Sequence, residues 1–353
     1  MTTAAEKLQT IVDCKSAIKR AIINKGGQVG DLTTYADAIA NLPSSSTSIW
    51  TGHADVEGLK AIGWTDEDIA YFQEHGVNWD EEDDEYHKVS DDNKALYEVI
   101  TLDNAKNYAN VLEYLPKIST EGYTSLNRRF QSCTFLKGIP MLDTSNITEM
   151  VGAFLSCKSL TCIPQFNLNK VTTSGTVFEG CTSLQYIHDL SIDNTNSIAY
   201  MFQDNKSLKS VNLSIRGLLS TLSYAFYGCG ALVKVTGNIN AENVSDFKYF
   251  LYNCVVLQNF KPILDMKSAK NVSSFAYNCL LLQDIRIKNL PLSISFASST
   301  LLSKESLLYM IENEAATSAI TITLSALAYA RLNADSDILA ALDAHPNITI
   351  ASA

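Results

Sequence analysis

The chain has 353 residues, a formal net charge of -11, and 46% hydrophobic against 18% charged residues. That balance is ordinary for folded protein and is enough to bury a sizeable core. The acidic surface would repel phosphates, which argues against nucleic acid and anionic membrane as partners. No stretch reaches the roughly 18 uninterrupted apolar residues of a membrane span.

Leu8, Ile11, Val12, Ile18, Ala21 and Ile22 recur at three- and four-residue spacing. This predicts a helix over 4–24 with one apolar stripe. Gly26-Gly27 ends it, a shorter helix follows near 33–41, and Pro43-Ser44-Ser45-Ser46-Thr47-Ser48 reads as a linker. Residues 1–43 are too few to promise a stable core. The stripe Leu8, Ile11, Val12, Ile18 and Ile22 is therefore expected to anchor and oligomerise the chain, for example as a trimeric bundle. The alternative is packing on Ala36, Ile39 and Leu42 of the same chain. Charges at Glu6, Lys7, Asp13 and Lys15 interrupt any secretory leader. The expectation is a protein made and kept in a cytosol unless lysis releases it.

Residues 50–107 read as a small linker domain holding Trp50, Trp64 and Trp79. Thr65-Asp66-Glu67-Asp68 looks like a helix start, with Ile69, Tyr71 and Phe72 as its apolar face. The acidic run over 80–85 lacks the alternating Asp/Asn pattern and turn glycine of a calcium loop, and a solvated turn is expected.

From 108 to 290 the chain repeats. Cysteines stand at Cys133, Cys157, Cys181, Cys229, Cys254 and Cys279, with Asn205 in the one gap. Three residues after these positions come Leu136, Leu160, Leu184, Leu208, Leu232, Leu257 and Leu282. Three residues before them come Phe130, Phe154, Phe178, Phe202 and Phe226, then Leu251 and Ala276. Seven repeats of 24–25 residues predict an α/β solenoid rather than a globule around one core. Phe154, Cys157, Leu160, Phe178, Cys181, Leu184, Cys229 and Leu232 are expected in that core. One cysteine column means one stacked row of buried free thiols, not disulfides or a metal site. No metal and no cofactor are expected.

The residues before the column are Ser132, Ser156, Gly180, Asp204, Gly228, Asn253 and Asn278, types suited to a left-handed turn. Each ladder leucine is followed three positions on by an apolar residue, Ile139 to Ile285, which predicts a short strand. The pairs between them, such as Lys137-Gly138 and Thr161-Cys162, are candidates for a binding face. Gln185, Tyr186, Lys209, Lys234, Gln258 and Asn259 are its leading members; the alternative is plain solvated strand positions. Tyr227, Tyr252 and Tyr277 form a second row two residues before the last three cysteines, fit either for recognition or for stacking on one another. His188-Asp189 are adjacent and point to opposite faces of a strand, which disfavours a catalytic pair. No phosphate loop, Gly-x-Ser-x-Gly or His-Glu-x-x-His motif occurs, and no enzyme is expected.

Residues 291–353 break the period. A helix starting at Ser303-Lys304-Glu305, a strand over 319–324, a helix over 325–343 and a last strand at Ile348-Thr349-Ile350 read as an α/β cap for the final core layer.

The stretch Leu142–Met150, followed by Ala153-Phe154-Leu155-Ser156-Cys157-Lys158-Ser159-Leu160, resembles the BspA-like leucine-rich repeat. The resemblance covers about 110–290 and implies binding to host glycans or proteins, with no catalytic residues. The stretches Ala21–Ala36 and Gly63–Ile69 resemble virion-protein modules of phages infecting Bacteroidales, of the crAss-like type. Together these imply a structural virion protein, a head or tail fibre attached through its N-terminus to other virion proteins; the alternatives are a bacterial BspA-like surface adhesin and, after it, a capsule depolymerase.

Overall fold

The computed structural model of the protein describes residues 56–61, 63–75, 100–109, 112–314 and 318–353. The stripe Leu8, Ile11, Val12, Ile18 and Ile22, the linker over 43–48 and the acidic run over 80–85 lie outside the described residues. The chain divides into two compact units, and the one described here is Ala54–Val77 with His87–Ala353.

This unit is mixed α/β, with parallel sheets and few helices. Helices α1 (Val56–Ala61) and α2 (Asp66–His75) come first. The strands follow as β1 (Cys162–Ile163), β2 (Tyr186–Ile187), β3 (Leu190–Ile192), β4 (Ser210–Ile215), β5 (Lys234–Ile239), β6 (Asn259–Asp265), β7 (Asp284–Lys288) and β8 (Ile294–Phe296). The end of the chain adds α3 (Lys304–Glu312), β9 (Ile320–Leu324), α4 (Ala326–Leu332), α5 (Ser336–Ala344) and β10 (Ile348–Ser352). β3 to β7 form one five-stranded sheet in chain order, β1 pairs β2, and β8, β9 and β10 form a third sheet. Every named pairing is parallel.

The repeat period sets the register. Val211 pairs Val235, Val235 pairs Phe260 and Phe260 pairs Ile285, so the apolar residue after each ladder leucine stacks on its equivalent. A second line of single bridges joins Ser125, Glu149 and Thr173, and again Ser197, Thr221, Asp246 and Asn271. Neighbouring repeats are thus tied at two places in each turn of the chain.

The expected strand after each leucine is fully formed only from Ser210 onward. Earlier repeats have a lone bridge, Tyr114 to Gly138, or the two-residue β1 and β2, of which β2 has no proline after it. Pro140 and Pro164 directly follow Ile139 and Ile163 there. A proline removes the N–H that a parallel ladder needs next. Pro262 inside β6 has a milder effect, a register shift between Phe260 and Ile263.

The core follows the columns. Phe154, Cys157, Leu160, Phe178, Cys181, Leu184, Cys229 and Leu232 are all buried. Phe130, Phe154, Phe178, Phe202 and Phe226 stack with centroids 5.1, 5.8, 6.0 and 5.2 Å apart. Leu251 and Ala276 do not end this aromatic row. Phe250 and Phe275, one position earlier, continue it at 5.6 and 5.7 Å with turned rings.

The cysteine column is a hydrogen-bonded one. The thiols of Cys157, Cys181, Cys229, Cys254 and Cys279 reach the carbonyls of Phe130, Phe154, Phe202, Phe226 and Leu251 at 2.9–3.1 Å. The residue before each column position has a left-handed backbone: φ is 62° at Ser132, 61° at Ser156, 58° at Asp204, 60° at Asn253 and 58° at Asn278. Gly228 shares it at 72°, and a Cβ there would also meet Asp204 Oδ1 at 2.6 Å.

The described part of 56–75 closes over the start of the repeats. Trp64 Nε1 donates to the Leu115 carbonyl at 2.8 Å, and Tyr71 OH donates to the Ile163 carbonyl at 2.6 Å. The Phe72 ring lies so close to Gly138 that a Cβ would come within 2.7 Å of it. Asp68, nearly inaccessible, is held by Lys117 Nζ at 2.9 Å and by the Met141 amide at 2.7 Å.

At the other end, α3 packs on β7, and Ser306 links the two by accepting from the Ile285 amide and donating to the Gln283 carbonyl. The single helix expected over 325–343 is two, α4 and α5. Asp335 breaks it by accepting from the amides of Asp337 and Ile338, an N-cap that competes with helix continuation.

Candidate functional site

The residues expected on a binding face are not gathered into one site. Register places Ser210, Lys234, Asn259 and Asp284 in one row across β4 to β7. Lys209 and Lys234 are exposed, while Gln258 and Asn259 are half-buried. Gln185 and Tyr186 belong to the start of the stack, where α2 intrudes: the Tyr71 ring is 6.3 Å from Tyr186 and 6.1 Å from His188. Gly138 and Cys162 are buried and drop out of the face. Toward the far end the charges satisfy one another, Lys261 with Asp284 at 2.9 Å and Lys288 with Asp265 at 3.1 Å. Such pairs are worth little to stability.

The described thiols are buried and protonated. Burial pushes Cys133 up to about 11 and Cys162, Cys181 and Cys279 up to about 12. A protonated thiol is neither nucleophile nor metal ligand. Among the described residues no group of three or more His, Cys, Asp or Glu could hold a metal ion.

A more organised surface lies on the turn side. Tyr227, Tyr252 and Tyr277 stack with centroids 5.0 and 5.1 Å apart and planes within 6° and 19°. Beside them runs a second column absent from the sequence-based expectations: Tyr200 on Tyr224 at 4.8 Å, and Tyr224 near Tyr249 at 5.0 Å. The columns touch, with Tyr224 5.5 Å from Tyr227 and Tyr249 5.2 Å from Tyr252. Lys248 Nζ sits 5.2 Å from the Tyr249 ring centre and 5.8 Å from that of Tyr224. Tyr200 and Tyr277, at the ends, are exposed.

The backbone under the second column is strained. φ is 61° at Tyr200, 57° at Tyr224 and 54° at Tyr249. A bulky residue in the left-handed region is a real outlier, costing about 1–2 kcal/mol. Equivalent positions elsewhere hold Arg128, Gly152, Thr176 and Ser274, so tyrosine is not required by the turn. The signal was present in the sequence as a 24- and 25-residue spacing of Tyr200, Tyr224 and Tyr249. It was hidden because left-handed turns usually advertise themselves through glycine and asparagine.

Comparison with known families agrees with this repeat architecture. Residues 199–314 match the model of the BspA type leucine rich repeat region in 6 copies. Residues 101–215 match the model described as Mycoplasma protein of unknown function, DUF285. No curated protein matches the chain. Over 199–314 the chain is therefore similar to BspA-type leucine-rich repeats.

Proposed function

We propose that this chain is a non-enzymatic binding protein of the surface or adhesin type, its repeats continuing as one solenoid that presents the tyrosine ladder to a ligand. The single observation that carries this is Tyr200, Tyr224 and Tyr249 held at positive φ in one stack, exposed at Tyr200 and half-buried at Tyr224 and Tyr249. Aromatic rings kept in register at three consecutive repeats, where Gly152, Thr176 and Ser274 occupy the same positive-φ turn, point to a role beyond folding. The match to BspA-type repeats supports the same class, since such repeats act as binding modules.

The carrier we infer is a virion. The chain would be a head or tail fibre or decoration protein, a homotrimer joined to other virion proteins through residues 1–43. It would turn its repeats toward a host surface glycan or protein. What supports this finer reading is the resemblance of Ala21–Ala36 and Gly63–Ile69 to virion modules. The BspA-type match favours a second reading, a bacterial surface adhesin. Immunogold labelling with an antibody to the repeats separates them. Gold on purified particles is the expected result, gold on the bacterial surface favours the second reading, and gold on neither refutes both.

A further inference from the structure

We infer that the tyrosine ladder binds an extended glycan chain lying parallel to the stacking direction of the repeats, one sugar unit to each repeat. This rests on the binding role proposed above and names the ligand class of that same site.

The rings of Tyr200 and Tyr224, Tyr227 and Tyr252, and Tyr252 and Tyr277 lie nearly parallel, with planes within 6–19° and centroids 4.8–5.1 Å apart. Within each pair the facing sides of the rings are covered by one another. What they present outward is ring edges and hydroxyls. Ring edges carry the positive rim of the aromatic quadrupole. Lys248 adds an ammonium over the middle of the second column. Among the described residues none of the six phenol hydroxyls has a hydrogen-bond partner. A surface of positive edges, free O–H donors and one cation is complementary to a ligand rich in oxygen lone pairs.

Spacing narrows the ligand further. The hydroxyls recur with the repeat, at the 4.8–5.1 Å step of the rings. An extended peptide shows side chains of one face about every 6.6 Å, twice a rise of about 3.3 Å, and falls out of step within two repeats. An extended glycan advances by about one ring length per sugar and keeps step. It also carries oxygen acceptors on every unit for the hydroxyls and Lys248, where an extended peptide turns successive groups to opposite sides.

The neighbouring repeats supply variants that fit the turns. Position 224 is equivalent to Thr176, and position 252 to Gln131 and Gln203. Tyr224→Thr with Tyr252→Gln therefore removes the ladder without asking the backbone for anything new. The full chain is tested by biolayer interferometry against immobilised cellohexaose, mannohexaose, chitohexaose and hexagalacturonate, the matching trisaccharides, and a set of extended peptides of equal length. The expected result is binding of at least one hexasaccharide, weaker binding of its trisaccharide, and a loss of about tenfold or more in the double variant, as when hot-spot tyrosines are removed. Melting temperatures are measured alongside; a variant that melts early is replaced by Tyr200→Gly, which copies the residue at the equivalent Gly152. Unchanged glycan binding in the folded variants overturns the inference, as does preference for the peptides or failure to bind any hexasaccharide. If the wild-type chain binds bacterial cells but none of the glycans, the inference fails while the binding role stands. If it binds neither, both fail.

Discussion

Asn205 offers the sharpest test of the column logic. At five positions a thiol donates to the carbonyl 27 or 28 residues earlier, at 2.9–3.1 Å. At 205 a carboxamide replaces the thiol. It is wholly buried, and neither Nδ2 nor Oδ1 has a partner. The Phe178 carbonyl, the acceptor this column position would serve, receives no side-chain bond from it. A buried polar group left unsatisfied costs about 1–3 kcal/mol, and a cysteine behaves as a small hydrophobe with a weak donor. Asn205→Cys keeps nearly the same volume, removes the orphaned amide and restores the thiol bond to Phe178. A gain of about 1–3 kcal/mol is expected. At about 2–4 °C per kcal/mol for a domain of this size, the melting temperature should rise by about 2–12 °C. Thermal melts followed by far-UV circular dichroism, paired with urea titrations, measure it. Asn205→Ala is expected to gain less, because it leaves a void. A Cys variant no more stable than the wild type would refute the reasoning.

The remaining predictions concern the core, the thiols and the cover at the start of the repeats. Leu184→Ala should destabilise by about 2–5 kcal/mol, as other fully buried leucines do, and an unchanged melt would sink the stacked core. The seven described cysteines are buried, with Cys181 and Cys279 pushed up to about 12, so native protein treated with iodoacetamide at pH 8 should show no alkylation of them by peptide mapping, and full alkylation once unfolded. Burial pushes Asp68 up, but hydrogen bonds from Thr65, Lys117 and Met141 outweigh it and hold the carboxyl below its ordinary 3.8. A depressed folded value means the stabilisation is fully present above 3.8 and fades as pH falls through the folded value. Acid should therefore loosen the contact of α2 with the repeats, seen as a shift of Trp64 fluorescence in a Trp50→Phe, Trp79→Phe background. The same acid titration of Asp68→Asn should lack that step.

Much of this fold was legible because each repeat meets its neighbour through the same contacts. A column in the sequence becomes a column in space, so the Cys, Leu and Phe periods named the core residue by residue. The left-handed turns at Ser132, Ser156, Asp204, Asn253 and Asn278 were legible for the same reason, through residue types that tolerate positive φ. The strands were less so, since Pro140 and Pro164 shorten them through backbone chemistry that an apolar pattern does not record. Phe250 and Phe275 keep the aromatic row although they are one place out of period, because a core selects volume more than position.

By itself the sequence determined that the chain repeats, which column side chains face inward and that the column thiols are buried. Only the tertiary structure decided which surfaces remain open. The α2 helix covers the face near Gln185 and Tyr186 through Tyr71, a contact 92 residues away in sequence at Ile163. Two tyrosine columns meet side by side only once the turns bring Tyr224 to Tyr227 and Tyr249 to Tyr252. Periodicity reports contacts between equivalent positions. Contacts between unlike segments leave no period to read, and they are the ones that cover one face and expose the other.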